Sequence, residues 1–280
     1  MSTDTPVVVK AYRTPLGKES GVFADTRPED LSTPLIDQIL EETGLTGEDV
    51  DDLKWGCAQQ RSEQGNNMAR VIALMSDLGE DTPATTINRW CASSAEAIIN
   101  AANAIRAGQR ECIIAGGVES MSRVPMGEND AIHPGLNEYH DISELRMGMT
   151  AETVAERYDV TRETQDEYAA QSQQRAVAAT EEGRFDDEIV PIEGHNEDGE
   201  EITVTKDEGL RPGTTAETLA ELPTVFKSDG TVTPGNASQM TDGAAALLVT
   251  SRSFAEEHGL EEIAEIGNNA VAGVEPEVMG

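Results

Sequence analysis

Cys91 is the residue of this sequence whose position best suits covalent chemistry. It lies between a short β-prone segment, Thr85–Ile87, and an alanine-rich stretch, Ala92–Ala107, in which apolar residues recur at helical spacing. The start of a helix carries unpaired N–H groups and a partial positive charge, and both favour a thiolate, the nucleophile of covalent acyl transfer. A free cysteine can equally be a small, inert core residue. The spacing alone leaves both interpretations open.

The segments around Cys91 predict an α/β fold. Strand-like and helix-like patterns alternate along the first part of the chain, at Val7–Val9, Glu29–Thr43, Leu53–Ala58, Asn66–Leu78 and Glu111–Ala115, the last ending at Gly116-Gly117. This alternation indicates a layered domain with a mostly parallel sheet and helices on both faces. Buried-strand composition returns at Asp242–Val249, followed by a helix at Arg252–His258 and a strand near Ile263–Val271.

The stretch between these two parts has a different pattern. Ser120–Met149 contains prolines and glycines without sustained periodicity, which is typical of a functional loop. Next come helical patterns over Met149–Gly183 with a second helix start at Thr161, two short strands at 188–192 and 201–204, and a short helix at 215–222. We therefore predict one domain at residues 1–119, an inserted loop domain at residues 120–241, and a return to the first domain at residues 242–280.

The chain is strongly acidic. It has 53 Asp and Glu against 20 Lys and Arg, a net charge of -33, and the acids recur along the whole sequence. Such a surface repels itself in dilute salt, and strong screening removes that penalty. The composition favours a protein from a salt-accumulating halophile, with a generic acidic surface as the alternative, and it disfavours binding to nucleic acid or an anionic membrane.

The cysteines and histidines give no pattern of a metal site. Cys57 and Cys112 lie in strand-like runs and are expected in the core, and the four histidines have no ligand spacing. The N-terminus has no signal-type apolar segment, and no apolar run is long enough to span a membrane. We predict a soluble, cytoplasmic protein without a metal or an organic cofactor.

The sequence resembles the thiolase family. The resemblance rests on motifs in family order, namely Arg13–Gly17, Gln64–Arg70, Asn88–Ser94, Gly116–Ser122, Met147–Glu152, Gly183–Pro191, Arg211–Thr215 and Gly230–Ser238. In that family the third motif carries the acyl-accepting cysteine, which corresponds to Cys91. The resemblance implies a thiolase-like layered sheet interrupted by a loop domain that binds coenzyme A.

The resemblance also implies a ping-pong reaction. The cysteine thiolate would take an acyl group from acyl-CoA or 3-ketoacyl-CoA, and either CoA or acetyl-CoA would remove it, by thiolysis or Claisen condensation. By matched position, Arg211 would contact the nucleotide end of CoA and Ser238 its pantetheine arm. Further candidates for lining the CoA channel are Met147, Phe226, Met240 and, more weakly, Thr218. Asn88 and Arg89 are expected to brace the turn at Cys91, and a homo-oligomer is the expected assembly.

The sequence departs from the family pattern in one large respect. Thiolases have a second half with Asn-Glu-Ala-Phe, Gly-His-Pro and Cys-x-Gly motifs, and these are not in the 280 residues. His133-Pro134 imitates one of them, but it lacks the leading glycine. We therefore expect little turnover by this chain alone, and a need for a chain that supplies the missing half. Arg146, where many members have His, and Pro234, where Ala is usual, leave the acyl chain length open.

Two other interpretations stay open. The chain could be a non-catalytic CoA-binding or scaffold subunit that pairs with another thiolase-like chain. It could also be a related condensing enzyme such as a ketoacyl synthase, although the loop domain between Met147 and Ser238 favours a thiolase.

Overall fold

The structure is a computed structural model that describes residues 4–127 and 132–279. Its strands are β1 (Pro6–Arg13), β2 (Gly17–Lys18), β3 (Asp52–Gly56), β4 (Ala84–Ile87), β5 (Cys112–Ser120), β6 (Ile192–His195), β7 (Glu201–Val204), β8 (Thr241–Ser251) and β9 (Ala264–Glu265). Its α-helices are α1 (Pro28–Thr43), α2 (Met68–Met75), α3 (Ser93–Arg106), α4 (Met147–Arg157), α5 (Arg162–Glu181), α6 (Ala216–Ala220) and α7 (Arg252–His258). Short 3-10 helices lie at Gly47–Asp49, Ser62–Gln64, Pro134–Glu138, Ile142–Leu145 and Pro276–Val278. Part of the predicted loop Ser120–Met149, residues 128–131, lies outside the described residues.

The chain divides into two compact units. The first takes in the described residues of Met1–Glu128 together with Asp186–Glu208 and Met240–Asn269. The second takes in the described residues of Asn129–Phe185 and Ala270–Gly280, together with Gly209–Gln239. Residues of the predicted inserted segment, 120–241, therefore occur in both units. The three-part division by sequence segments stays a prediction.

The main sheet of the first unit is mixed. Its strands are ordered β4-β3-β5-β8-β1-β9, and β2 pairs with β8. β3 is parallel to β4 and β5, whereas β8 is antiparallel to β5 and β1, and β1 is antiparallel to β9. The expectation of a mostly parallel sheet was wrong for β1, β8 and β9. Hydrophobic periodicity carries no information on strand direction. The segment between β5 and β8 is long enough to join them in either direction, so its length does not predict a parallel pair.

Helices cover both faces of this sheet, as the sequence predicted. On β5, Cys112 and Ile114 face the core that includes residues of α1 and α2, while Ile113 and Ala115 face α3. α1 begins with Pro28 and is capped after Thr43 by Gly44, whose φ of 69° is in the left-handed region. The fold is thus an α/β layered sheet, and the predicted core positions of Cys57 and Cys112 are confirmed by their burial.

Several elements differ from their predicted bounds. β5 does not end at Gly116-Gly117 but continues to Ser120, and its pairing with β8 extends to Asp242. The strand predicted at 188–192 begins only at Ile192, after Pro191, which has no N–H to donate to a ladder. The strand predicted near 263–271 is only the two residues of β9. The helix predicted at 66–78 is shorter, and only α2 forms there.

The second unit contains α4, α5 and α6. Thr161 caps α5 by accepting a hydrogen bond from the Thr164 N–H, as expected for a helix that begins there. Two buried carboxylates organise the loop at 230–236: Glu152 of α4 accepts hydrogen bonds from Thr231 and Val232, and Asp166 of α5 accepts one from Asn236.

Candidate active site

Cys91 is exposed and lies two residues before the first residue of α3. The connection from β4 to α3 is a tight turn in which the Ala92 N–H donates to the Arg89 carbonyl and the Ser93 N–H to the Trp90 carbonyl, both at 3.0 Å. Trp90 has a φ of 48°, a left-handed conformation that is unusual for a bulky side chain. Such conformations persist only where surrounding contacts hold them, and they concentrate at functional sites.

Two side chains hold this turn. The Ser93 hydroxyl accepts from the Arg89 N–H at 2.9 Å and donates to the Trp90 carbonyl at 2.5 Å. The Asn88 Oδ1 accepts from the Trp90 N–H at 2.8 Å, and the Asn88 Nδ2 donates to the Ala58 carbonyl at 2.9 Å. Asn88 therefore braces the turn, as the sequence predicted. Ser93 braces it as well, a role that was not predicted from the sequence.

Two glycines on adjacent strands let α3 approach the sheet closely. Gly56 of β3 and Gly117 of β5 are register partners. A Cβ on Gly56 would lie 2.4 Å from the Ser94 N, and a Cβ on Gly117 would lie 2.2 Å from the Ser94 Oγ. Because the atoms that a Gly56 side chain would meet are α3 backbone, a side chain there would displace the first turn of α3, and Gly56 thus sets how closely that turn approaches the sheet. Gly56 is the last residue of the buried strand β3, and a glycine inside a strand is the signal that could have identified it.

The charges next to Cys91 are paired with each other. The Arg89 Nε lies 2.8 Å from the Glu96 Oε2, and the hydrogen bond from Arg89 lowers the pKa of Glu96. Glu96 is in the first turn of α3, where a carboxylate is favoured by the helix dipole. Arg89 thus ties the turn to the helix, as expected for a bracing residue.

The other two thiols are unsuited to nucleophilic chemistry. Cys57 and Cys112 are buried, and burial raises the pKa of both thiols. Cys91 is therefore the thiol that a reagent or substrate in solution can reach.

The candidate CoA residues fall in both units. Met147 begins α4 in the second unit, and the Phe226 ring packs on the next residue, Gly148, so closely that a Cβ there would lie 2.4 Å from it. Met147 and Phe226 are 42% and 49% exposed, which leaves an apolar surface open at this point. Met240, by contrast, belongs to the first unit, where its carbonyl accepts from the Glu19 N–H at 2.8 Å.

Arg211 and Ser238 lie in neighbouring parts of the second unit. The Gln239 Nε2 donates to the Gly209 carbonyl at 3.0 Å and so joins the two segments. The Arg211 N–H donates to the Gln173 Oε1 of α5 at 3.0 Å, while its guanidinium is exposed and makes no salt bridge within the described residues. Both side chains are exposed to solvent, as a ligand contact requires.

Thr218 has a structural task in the same unit. Its hydroxyl accepts from the Thr215 N–H at 3.1 Å, and its own N–H donates to the Thr215 hydroxyl at 3.3 Å, which forms a capping box at the start of α6. The Thr218 hydroxyl also donates to the Thr215 carbonyl at 2.9 Å. The hydroxyl proton is therefore already used, although the side chain is exposed.

Two negative findings concern the described part of the chain. No group of three or more His, Cys, Asp or Glu residues there could hold a metal ion. Within residues 4–127 and 132–279, no helix is both long enough and apolar enough to cross a bilayer.

The sequence matches the family described as "Thiolase, N-terminal domain" over residues 6–253. The chain therefore belongs to the thiolase family. A similar relative is the 3-ketoacyl-CoA thiolase of Idiomarina loihiensis, 46% identical over 277 residues that cover 98% of this chain and 72% of the relative. The 3-ketoacyl-CoA thiolase of Pseudoalteromonas translucida is 45% identical over 280 residues, covering 99% of this chain and 72% of the relative.

Solved structures agree with this assignment. The acetyl-CoA acetyltransferase of Bacillus anthracis matches with a TM-score of 0.88 and 36% identity, over 99% of this chain and 73% of that one. Human mitochondrial 3-ketoacyl-CoA thiolase matches with a TM-score of 0.87 and 36% identity, over 100% of this chain and 74% of that one. The predicted family and fold are thus confirmed.

Proposed function

We propose that this chain is a thiolase-type acyltransferase in which Cys91 is the acyl-accepting nucleophile. The observation that carries the proposal is the exposed thiol, held at the start of α3 by a strained, fully braced turn. The names of the relatives, 3-ketoacyl-CoA thiolase and acetyl-CoA acetyltransferase, support this reaction class. We favour 3-ketoacyl-CoA as the substrate, since the relatives at 45–46% identity carry that name.

The acylation step needs only the thiolate and a CoA thioester. The Cys91 Sγ attacks the thioester carbonyl carbon, a new carbon–sulfur bond forms, and the bond to the CoA sulfur breaks. CoA leaves as a thiolate that takes up a proton, and the acyl group stays on Cys91. In thiolysis of a 3-ketoacyl-CoA, the Sγ attacks the keto carbon instead. The carbon–carbon bond then breaks, and the acetyl-CoA enolate leaves and is protonated. No separate cofactor takes part.

For the binding of CoA we propose the residues matched by position. The exposed guanidinium of Arg211 suits the phosphates of the nucleotide, the apolar surface at Met147 and Phe226 suits the pantetheine arm, and Ser238 offers it a hydroxyl. Met240, which belongs to the first unit, stays a candidate by its sequence match alone. Thr218 is the weakest candidate, since its hydroxyl proton is engaged in the cap of α6.

The decisive experiment is acyl transfer to Cys91 in high salt. The chain is incubated with radiolabelled acetyl-CoA and peptide-mapped, and iodoacetamide labelling is measured with and without acetyl-CoA. We expect acetylation and protected alkylation at Cys91, and neither in Cys91→Ser. Equal acetylation of Cys91→Ser would overturn the proposal. Protection of Cys91 without acetylation would instead indicate the non-catalytic CoA-binding subunit.

Turnover and assembly stay predictions of the sequence. We predict that thiolysis of acetoacetyl-CoA by residues 1–280 alone is slow, and that a chain carrying the Gly-His-Pro and Cys-x-Gly motifs restores it. Full thiolysis by the chain alone would contradict this. We further propose that the protein is cytoplasmic, comes from a halophile and forms a homo-oligomer. Sedimentation in molar KCl measures the oligomeric state.

A further inference from the structure

Glu119 is a carboxylate at the end of β5 that the acyl-transfer scheme above does not use. Its oxygens accept hydrogen bonds from three nitrogen donors, the Ala58 N–H at 2.8 Å, the Gln59 N–H at 3.0 Å and the Gln64 Nε2 at 2.7 Å. Ala58 and Gln59 form the connection that follows β3. One side chain therefore fixes the path of this connection, and hydrogen bonds to an ionised acceptor are the strong ones.

Gln64 fixes the carboxylate in turn. Gln64 is fully buried, and while its Nε2 binds Glu119, its Oε1 accepts from the Ser120 N–H at 2.7 Å. The two side chains thus hold each other and the end of β5. Cys57 lies beside them, with its Sγ 3.8 Å from the Glu119 Oε1.

The connection held by Glu119 leads directly to the turn at Cys91. The Ala58 carbonyl accepts from the Asn88 Nδ2 at 2.9 Å, and the Asn88 Oδ1 accepts from the Trp90 N–H at 2.8 Å. Trp90 is the residue with positive φ that immediately precedes Cys91. Three successive hydrogen bonds therefore link the Glu119 carboxylate to the backbone next to the thiol.

We propose that Glu119 is a positioning residue for the Cys91 nucleophile. Its carboxylate acts through Ala58 and Asn88 and never touches the substrate. An amide cannot replace it, because its NH2 group would face an N–H donor and leave that donor unpaired. The proposal rests on the proposed acyl transfer, since positioning matters for chemistry at Cys91. A displacement of about 1 Å at a reacting atom can lower a rate about 100-fold.

The test compares Glu119→Gln with Glu193→Gln as a matched control. Glu193 is an exposed carboxylate of the same unit, with one hydrogen bond from the Thr203 hydroxyl. Single-turnover acetylation of Cys91 by acetyl-CoA gives a maximal rate and a half-saturating concentration. We expect Glu119→Gln to lower the maximal rate about 10- to 100-fold with the half-saturating concentration within about threefold of wild type, and Glu193→Gln to change neither.

A second readout does not depend on acyl transfer. We expect iodoacetamide to alkylate Cys91 in Glu119→Gln about tenfold more slowly at pH 7, because the loosened turn no longer holds the thiol at the start of α3. Peptide mapping measures alkylation of Cys57 separately from that of Cys91. Alkylation of the buried Cys57 would show that the connection after β3 has opened. Wild-type alkylation and acetylation of Cys91 in Glu119→Gln would overturn the proposal.

Asn88→Ala keeps the test valid if Glu119→Gln fails to fold. Asn88 is exposed, so its truncation spares the core, yet it removes the middle of the same path. We expect the same loss in both readouts, and no further loss in the double variant, since residues in one network are not additive. Unchanged Cys91 reactivity in Asn88→Ala would refute the path. If wild-type Cys91 takes no acetyl group at all, the acyl-transfer proposal fails, while the alkylation comparison still decides the role of Glu119.

Discussion

Replacing Gly56 with alanine tests whether close packing of α3 on the sheet positions Cys91. The added Cβ would lie 2.4 Å from the Ser94 N, 2.5 Å from the Ser93 carbonyl carbon and 2.7 Å from the Ser94 Cα. Carbon atoms in contact normally lie about 3.5–4.0 Å apart, so the first turn of α3 must move by about 1 Å. The obstructing atoms are backbone, and no change of rotamer relieves the contact.

The cost can be bounded from two opposing effects. Overpacking of this kind destabilises by about 1–3 kcal/mol. Loss of glycine flexibility in the unfolded chain stabilises by about 0.4–1 kcal/mol where the conformation allows. The net expectation is a loss of about 1–2 kcal/mol in the free energy of unfolding. The same movement shifts Cys91, and we expect single-turnover acetylation to slow by up to about 100-fold.

Urea unfolding and acetylation of Cys91 measure the two effects in the same preparation. Gly267→Ala is the matched control, because a Cβ there meets no atom within 4 Å and Gly267 has no positive φ. We expect Gly267→Ala to stay within about 0.5 kcal/mol of wild type. The reasoning is refuted if Gly56→Ala unfolds at the wild-type urea concentration and accepts acetyl groups at the wild-type rate.

Three further predictions concern stability. Gly230→Ala would place a Cβ 2.2 Å from the Glu152 Oε1, so we expect a loss of about 1–3 kcal/mol in urea unfolding, whereas Gly273→Ala, with open space, should be neutral. Lys10 and two neutral donors hold the pKa of Glu42 down to about 2, which stabilises the fold above pH 4.5 and is lost as the pH falls towards 2. Glu42→Gln should therefore lower the free energy of unfolding by up to about 1 kcal/mol at pH 6 and by progressively less below pH 4.5. A difference from wild type that stays constant with pH would contradict this. Finally, the net charge of -33 predicts that the midpoint of thermal unfolding rises between 0.1 and about 1 M KCl, because the Debye length falls from about 10 Å to about 3 Å. The same rise is expected in NaCl. A midpoint that does not change with salt would show that repulsion among the acids does not limit stability.

The sequence predicted the surroundings of Cys91 well because the signals there are local. A β-prone segment, a turn and an alanine-rich helix follow each other within about 25 residues, and all three appear at nearly the predicted bounds as β4, the turn and α3. The thiolase motifs added the proposed role of the cysteine, which spacing alone had left open.

What the sequence could not predict depends on contacts between distant residues. Glu119 and Ala58 are 61 residues apart, and no local pattern indicates that a carboxylate after a glycine pair will bind that connection. The direction of β8 and the division of residues 120–241 between two units likewise follow from packing and not from periodicity. Met240 and Ser238 are two residues apart in sequence and yet belong to different units.

The way Cys91 is held suits a chain with this charge. Surface ion pairs weaken in concentrated salt, because screening acts on exposed charges over a few ångströms. The turn at Cys91 relies mainly on other forces: the Ser93 hydroxyl, the Asn88 amide and the packing of α3 on Gly56 are all uncharged contacts. The exposed Arg89–Glu96 pair is the one contact here that salt weakens, whereas the Glu119 carboxylate is partly buried and bonded directly to three nitrogen donors. Cys91 is therefore held mainly by short-range interactions that salt does not remove, while salt relieves the repulsion among the acids elsewhere on the surface.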